Sequence, residues 1–187
     1  MIPVSVVPLD LPYLDCLESG CLVMTINPED RPPWGAAGWV DWRLNGAISE
    51  HIAQKFLTGK EGESVMLSSE GRLPVSAIIV LSNAQADLKD EDAVCSYVQY
   101  MISVAEKAGY RRIAFAPPPP VSRERREVFF NGICRAMLTV KGDRRFEVLL
   151  PETLSTRFSD FLSRKTSEFV VGAVSLPESR LSSPNEP

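Results

Sequence analysis

The sequence predicts an α/β protein in which helices cover both faces of a mixed, mostly parallel sheet. Two continuous apolar runs, at residues 21–26 and 77–81, lack the alternation expected of strands with one solvent-exposed face. Segments with apolar residues at helical spacing alternate with such runs along the chain, as in a three-layer α/β/α arrangement. Hydrophobic residues make up 44% of the 187 positions, which is enough for a core of ordinary size.

Seven strands are predicted, and proline and glycine residues mark several of their ends. Pro3 and Pro8 bound the first strand, and a proline-rich loop follows the second. A tight turn at residues 69–72 joins the third and fourth strands, which favours a mixed sheet over a purely parallel one. The predicted strands cover residues 4–7, 21–26, 64–68, 77–81, 111–115, 146–150 and 168–174.

Four helices are predicted between the strands. The first begins at Asp41, whose side chain can cap it, and residues 34–39 before it are predicted as a loop of small residues with two tryptophans. The others cover residues 90–108, 122–140 and 151–165. Residues predicted to face the core are Leu44, Ile48, Ile52 and Phe56 in the first helix and Val128, Phe129, Ile133, Met137 and Leu138 in the third.

Residues 1–174 are predicted to form a single domain, and residues 175–187, rich in serine, proline and charge, a flexible tail. A net charge of −4 argues against a dedicated nucleic-acid surface. No apolar run approaches the length of a membrane span, and the amino terminus lacks the basic region of a signal peptide, so we expect a cytoplasmic protein.

The residues give little support for catalysis or for a bound cofactor. The four cysteines contain no C-x-x-C pair, so neither a zinc site nor a disulfide framework is expected. His51 is the only histidine, and it is interpreted as a partly exposed helix residue. Glycine-rich phosphate loops and the G-x-S-x-G elbow are both missing from the sequence. We therefore expect no metal and no cofactor.

Several short motifs occur in one order: GAAGWVDWRLNG at 35–46, FLTGKEGE at 56–63, GRLP at 71–74 and the strand at 78–81. This pattern resembles the N-terminal domain of the leucyl aminopeptidase family, the cytosolic dinuclear-metal peptidases, over roughly residues 1–150. The resemblance implies a three-layer fold related to macro domains. It also implies that this chain is not an enzyme on its own, because the family's metals and catalytic groups lie in a separate C-terminal domain.

One short segment resembles the family's catalytic metal motif, Asn-Thr-Asp-Ala-Glu-Gly-Arg-Leu, without its chemistry. Residues 70–73 repeat the last four residues of that motif, but Ser68 stands where the metal-binding aspartate would be. A hydroxyl is a poor substitute for a carboxylate that bridges two cations. We interpret this segment as the turn between two strands.

Candidate ligand or partner contacts fall in two groups. The first group follows two predicted strands, at the edge of the sheet where open α/β folds bind ligands. It consists of Ser82, Asn83, Pro117 and Pro118, the last two being the start of a run of four prolines. Because proline has no N–H, this rim suits an apolar ligand or a protein better than an anion. The second group surrounds the first helix and consists of Trp34, Trp39, Asp41, Trp42 and Arg43.

For three residues of the second group a structural role competes with a contact role. Asp41 can cap its helix, Arg43 can pair with a carboxylate, and Trp42 can pack as an anchor. The basic run Arg123, Arg125 and Arg126 also has two possible interpretations. It forms either a solvated face neutralised by neighbouring glutamates or a phosphate site that Lys141, Arg144 and Arg145 could extend.

Three functions are consistent with these features. The first is a stand-alone, non-catalytic relative of the aminopeptidase domain that acts as a binding, assembly or regulatory module, with a protein partner or self-association. The second is an accessory subunit of an aminopeptidase whose catalytic domain is on another chain. The third is a macro-type domain that binds a nucleotide or ADP-ribose. A small-molecule ligand is possible in each, whereas neither a membrane nor nucleic acid is expected as partner.

Overall fold

A computed structural model describes residues 1–27, 29–58, 60, 62–82, 88–120, 122–165, 167–172 and 174. The strands are β1 (Ile2–Pro8), β2 (Cys21–Ile26), β3 (Ser64–Ser68), β4 (Ala77–Ser82), β5 (Arg112–Ala116), β6 (Arg145–Leu150) and β7 (Phe169–Gly172). The helices are α1 (Leu11–Leu14), α2 (Gly35–Arg43), α3 (Ala47–Ala53), α4 (Glu91–Lys107), α5 (Arg126–Thr139) and α6 (Glu152–Ser163), with a 3₁₀ turn at Arg123–Arg125 before α5.

The seven strands form one sheet in the order β3-β4-β2-β5-β6-β1-β7. Only β3 runs antiparallel, paired with β4, and the other neighbours are parallel. The predicted mixed, mostly parallel sheet is therefore confirmed. The boundary predicted at residue 174 stays a prediction, and residues 175–187 lie outside the described part of the chain.

Two apolar layers confirm the predicted three-layer arrangement. Alternate residues of each central strand point to opposite faces: Cys21 and Val23 pack toward α4, α5 and α6, whereas Leu22 and Met24 pack toward α1, α2 and α3. Because both faces of the sheet are covered, the central strands are apolar throughout rather than alternating.

The region around the first predicted helix differs from expectation. Residues 35–39 are not a loop but the start of α2, and the single helix predicted from Asp41 is in fact two helices, α2 and α3. Helices α2 and α3 are separated by Asn45 and Gly46. Both residues have a positive φ, which is incompatible with a continuous right-handed helix. After this break Phe56 lies beyond α3 and is 62% exposed, so its predicted burial is wrong.

One further expectation was wrong, because Leu138, predicted to face the core, is exposed on α5. The short helix α1 is an element for which the sequence analysis made no prediction. The basic run at the start of the third predicted helix also divides, since Arg123 and Arg125 lie in the 3₁₀ turn and Arg126 begins α5. The other predicted strands and helices are present, with ends that differ by a few residues.

Candidate functional site

A crevice of about 260 Å³ opens where the carboxyl ends of β1, β2, β5 and β6 meet the amino terminus of α2. β2, β5 and β6 are consecutive strands in the middle of the sheet, so the crevice lies over the sheet centre at the edge where parallel strands end. We call this site the crevice. Residues that line it include Thr25, Asp30, Trp34, Gly35, Pro117 and Pro118.

The indole of Trp34 is the most prominent apolar surface at the crevice. It is 65% exposed, and its Nε1 donates a hydrogen bond to a carboxylate oxygen of Asp30 at 2.5 Å. Gly38 lets the preceding chain lie close to α2, because a Cβ at that position would come within 2.6 Å of the Pro33 carbonyl oxygen. The hydrogen bond orients the indole, and the close approach fixes the turn that leads from Pro33 into α2.

The first turn of α2 supplies backbone hydrogen-bond donors to the same crevice. Gly35, Ala36 and Ala37 line it, and the first N–H groups of a helix have no partner within the helix. Trp34 precedes this turn without capping it through its side chain. Since the three side chains are small or missing, an acceptor atom of a ligand can approach these N–H groups.

The opposite wall is formed by the prolines that follow β5. Pro117 is buried and Pro118 half-buried, and Pro119 also lines the crevice. These residues offer apolar rings and carbonyl oxygens but no N–H. Asp30 carries the only charge among the lining residues that the structure describes. The crevice therefore combines an aromatic ring, a few donors, an apolar wall and one negative charge.

The lining of the crevice includes a polar residue that sequence reasoning missed, Thr25 of β2. Tyr97 of α4 lies next to Thr25 but does not line the crevice. Burial raises the pKa of Tyr97 above its ordinary value, and the Thr25 hydroxyl acts in the opposite direction. Within the described residues the phenol oxygen has no hydrogen-bond partner of good geometry. A signal for Thr25 was its place near the carboxyl end of a predicted buried strand, whereas Tyr97 lies in the middle of a helix and gave no such signal.

Of the candidates predicted after strands, Pro117 and Pro118 line the crevice and Ser82 does not. Ser82 ends β4 beside Ile26 of β2, is buried, and has a hydroxyl without a partner in the described part of the chain. Asn83 lies outside the described residues. The contact role of these residues remains a prediction.

Of the candidates around the first predicted helix, only Trp34 lines the crevice. Trp39 and Trp42 lie one turn apart on α2 and are 40% and 64% exposed, away from the crevice. Trp42 is therefore not packed as an anchor, although the Arg43 guanidinium lies 5.5 Å from its ring centre. Their role in contacting a partner stays a prediction.

Asp41 and Arg43 make internal contacts. The buried Asp41 carboxylate accepts hydrogen bonds from the N–H groups of Ile48 and Ser49, so it caps α3 rather than the helix that contains it. An Arg43 Nη donates to the Asp15 carboxylate at 2.6 Å and ties α2 to the end of α1. Arg43 thus has the carboxylate partner that the sequence allowed, whereas Asp41 caps a different helix from the one expected.

His51 is half-buried in α3, with its Nδ1 2.8 Å from the Ala47 carbonyl oxygen. The described residues contain no group of three or more His, Cys, Asp or Glu side chains placed to hold one metal ion together. Within the same residues, no helix has both the length and the apolar character needed to cross a membrane.

The strand order, the covered sheet and the position of the crevice define a macro-like α/β fold, and solved structures share it. The tomato leucine aminopeptidase, as a variant, matches with a TM-score of 0.57 and 16% identity over 89% of this chain. A variant of the Oceanobacillus iheyensis macrodomain matches with a TM-score of 0.59 and 16% identity, covering 87% of this chain and 92% of the macrodomain. The macro domain of ganglioside induced differentiation associated protein 2 matches with a TM-score of 0.60 and 14% identity, covering 85% and 82% of the two chains.

This chain spans only 36% of the tomato enzyme, so the similarity concerns one region of that larger protein. The resemblance seen in the sequence is thereby confirmed at the level of the fold. By sequence, no protein-family profile matches the chain. No curated protein matches it either.

Proposed function

We propose that this chain is a non-catalytic binding module of macro-like fold, and that the crevice binds a small ligand with an uncharged ring. One observation carries the proposal: the crevice pairs an exposed, oriented indole with the open first turn of α2. A ring that stacks on Trp34 gains roughly 0.5–1.5 kcal/mol beyond the apolar area it buries. The N–H groups of α2 can then fix its orientation by donating to a carbonyl or hydroxyl oxygen.

ADP-ribose is the second candidate ligand. It is favoured by the fold, because another variant of the Oceanobacillus iheyensis macrodomain has been solved with ADPR. The local charge opposes it. A phosphate about 5 Å from the Asp30 carboxylate would meet roughly 3 kcal/mol of repulsion per charge at an effective dielectric constant near 20. A helix amino terminus returns only about 0.3–1 kcal/mol, and the proline wall adds no donors.

Calorimetric titration of the full chain with adenosine and with ADP-ribose separates the two candidates. We expect adenosine, a neutral ring compound, to bind at least as tightly as ADP-ribose. The Trp34→Ala variant should weaken adenosine binding about tenfold or more, whereas Trp42→Ala, equally exposed but outside the crevice, should bind like the unmodified chain. Tighter binding of ADP-ribose would select the second candidate. No binding of either compound, or equal losses in both variants, would argue against the crevice as a ligand site.

The absence of catalysis is also part of the proposal. Metal analysis of the purified chain, together with a leucine-substrate assay in the presence of manganese or zinc, tests it. We expect no metal-dependent turnover, and turnover abolished by a chelator would overturn the proposal.

A role in assembly is the remaining candidate, and the exposed pair Trp39 and Trp42 favours it. Tryptophan is enriched among residues that dominate protein interfaces, and this pair lies on the outward face of α2. Light scattering at several concentrations tests self-association, which the double change Trp39→Ser and Trp42→Ser should abolish. Co-purification of a metal-containing peptidase from the native lysate would instead indicate an accessory subunit. A monodisperse monomer that recovers no peptidase would count against both assembly roles.

A further inference from the structure

We propose that a groove between the starts of α5 and α6 binds a phosphate-bearing small molecule through Arg123, Arg126 and Arg157. The groove has a volume of about 390 Å³ and lies on the far side of the proline wall from the crevice. We call it the arginine groove. Its lining residues include these three arginines, Pro120, Ser122 and Thr153.

The 3₁₀ turn, α5 and α6 each contribute one arginine to the lining of the groove. Arg123 lies in the 3₁₀ turn and Arg126 is the first residue of α5, whereas Arg157 is in the second turn of α6. The residues that line the groove include no carboxylate among those that the structure describes. Ser122 and Thr153 add hydroxyl groups at its edge. The groove therefore presents three positive charges with hydrogen-bond donors.

Several arginines elsewhere in the chain are neutralised by a carboxylate, whereas the three arginines of the groove have no ion pair within the described residues. Arg144 pairs with Glu106 at 2.7 Å and Arg145 with Glu18 at 2.7 Å. Throughout the described ranges, no ion pair involves Arg123, Arg126 or Arg157. Lys141, Arg144 and Arg145 cannot extend the groove, because they follow the carboxyl end of α5. A 14-residue helix places that end about 21 Å from the groove.

Without a bound anion, the placement of the three arginines around the groove lowers the stability of the fold. Three like charges around one groove repel each other, and a cation at the first residue of α5 opposes the helix dipole. Guanidinium groups donate paired N–H groups that match the oxygens of a phosphate. A bound phosphate would relieve the repulsion and satisfy donors that have no ionic partner in the described part of the protein.

The surrounding charges favour a small anion over an extended one. On their other side the same three arginines share a shallow surface with Arg164 and with the carboxylates of Glu124, Glu127 and Asp160. An extended polyanion such as RNA would meet these carboxylates, whereas a phosphomonoester or pyrophosphate fits among the arginines alone. The net charge of −4 also disfavours a long polyanion. This inference does not depend on the crevice, since the two sites have only Pro151 in common among their lining residues.

Calorimetric titration with inorganic phosphate and inorganic pyrophosphate, at ionic strength held constant with sodium chloride, tests the arginine groove. We expect saturable binding of one pyrophosphate per chain. The double change Arg126→Gln and Arg157→Gln should weaken it at least tenfold and leave the melting temperature without ligand unchanged or higher. Arg125→Gln removes one charge beside Arg126 but outside the groove, and should change binding less than twofold, whereas Arg126→Gln alone should weaken binding several-fold. Trp34→Ala should have no effect.

Three results would overturn the proposal. The first is no saturable binding up to about 10 mM pyrophosphate. The second is an equal loss of binding in Arg125→Gln and in Arg126→Gln, which would reflect net charge alone. The third is tighter binding of a single-stranded oligonucleotide than of pyrophosphate, with the same loss in every arginine variant, which would indicate a diffuse polyanion surface.

Discussion

The carboxylate of Asp41 in α2 accepts a hydrogen bond from the backbone N–H of Ile48 in α3 at 2.8 Å. Ser49 donates its N–H and its hydroxyl to the same carboxylate. The residue that precedes α3 is Gly46, which has no side chain to cap the helix and adopts a left-handed conformation. A residue of one helix thus satisfies the amino terminus of the next, and this contact fixes the corner between α2 and α3.

Removing this carboxylate should destabilise the fold. We expect Asp41→Ala to lower the free energy of unfolding by about 1–2 kcal/mol, since it leaves two N–H groups at the helix start without their acceptor. Asp41→Asn, which keeps one acceptor oxygen, should cost less. Urea denaturation measures both, with the exposed Asp160→Ala as control. Equal stability of Asp41→Ala and the control would show that water replaces the cap.

A second buried carboxylate connects distant parts of the chain. Glu147 of β6 is almost completely buried and accepts hydrogen bonds from the N–H groups of Glu18 at 3.1 Å and Ser19 at 2.8 Å. Glu147→Ala should lower the free energy of unfolding by about 3 kcal/mol, because two amides lose their acceptor. Glu147→Gln should lower it less. Hydrogen exchange should show faster exchange of the Glu18 and Ser19 amides in Glu147→Ala, and unchanged rates would contradict this role.

The sequence was most informative where a local pattern decides the structure. Continuous apolar runs identified β2 and β4, and the turn of residues 69–72 correctly indicated the antiparallel β3. The start of α2 was missed because Gly35, Ala36 and Gly38 give almost no apolar periodicity, and packing rather than propensity makes them helical. The break after Leu44 interrupts an apolar spacing that would otherwise read as one helix.

The candidate site was predicted in part for the same reason. The proline wall follows a strand, so its place at the sheet edge could be predicted from strand order alone. The hydrogen bond from Trp34 to Asp30 depends on how the loop after β2 folds back on α2, which no periodicity encodes. Arg157 lies about thirty positions after Arg126, so only the packing of α6 beside α5 shows that they share a groove.

Close packing between α4 and α5 depends on Gly132. A Cβ at this position would come within 2.6 Å of the Val94 side chain. Gly132→Ala should therefore destabilise the fold by about 1–3 kcal/mol through overpacking, although alanine is the better helix former by about 1 kcal/mol. Thermal denaturation measures the change, with the exposed Ser96→Ala on α4 as control. A stabilised Gly132→Ala would show that the two helices separate at little cost.

Burial of two thiols makes stability depend on alkaline pH. Burial raises the pKa of Cys21, and likewise that of Cys134, from an ordinary value of 9.0 to about 12. Between these values only the unfolded chain ionises its thiols, so the free energy of unfolding should fall as pH rises above 9, by about 1.4 kcal/mol per thiol at pH 10. Below pH 8 this contribution to stability is fully present.

Urea denaturation of the full chain at pH 8 and pH 10 under reducing conditions tests this dependence. Each of Cys21→Ala and Cys134→Ala should lose stability at pH 8 because a buried side chain is shortened, yet fall less between pH 8 and pH 10 than the unmodified chain. Comparing this pH-dependent change between each variant and the unmodified chain isolates the contribution of the thiol, because the ionisation of lysine and tyrosine is common to all of these proteins. Cys16→Ala, at a half-exposed position, is the control for loss of a thiol from the chain. An identical decrease in all four proteins would mean that the buried thiols reach water before the chain unfolds.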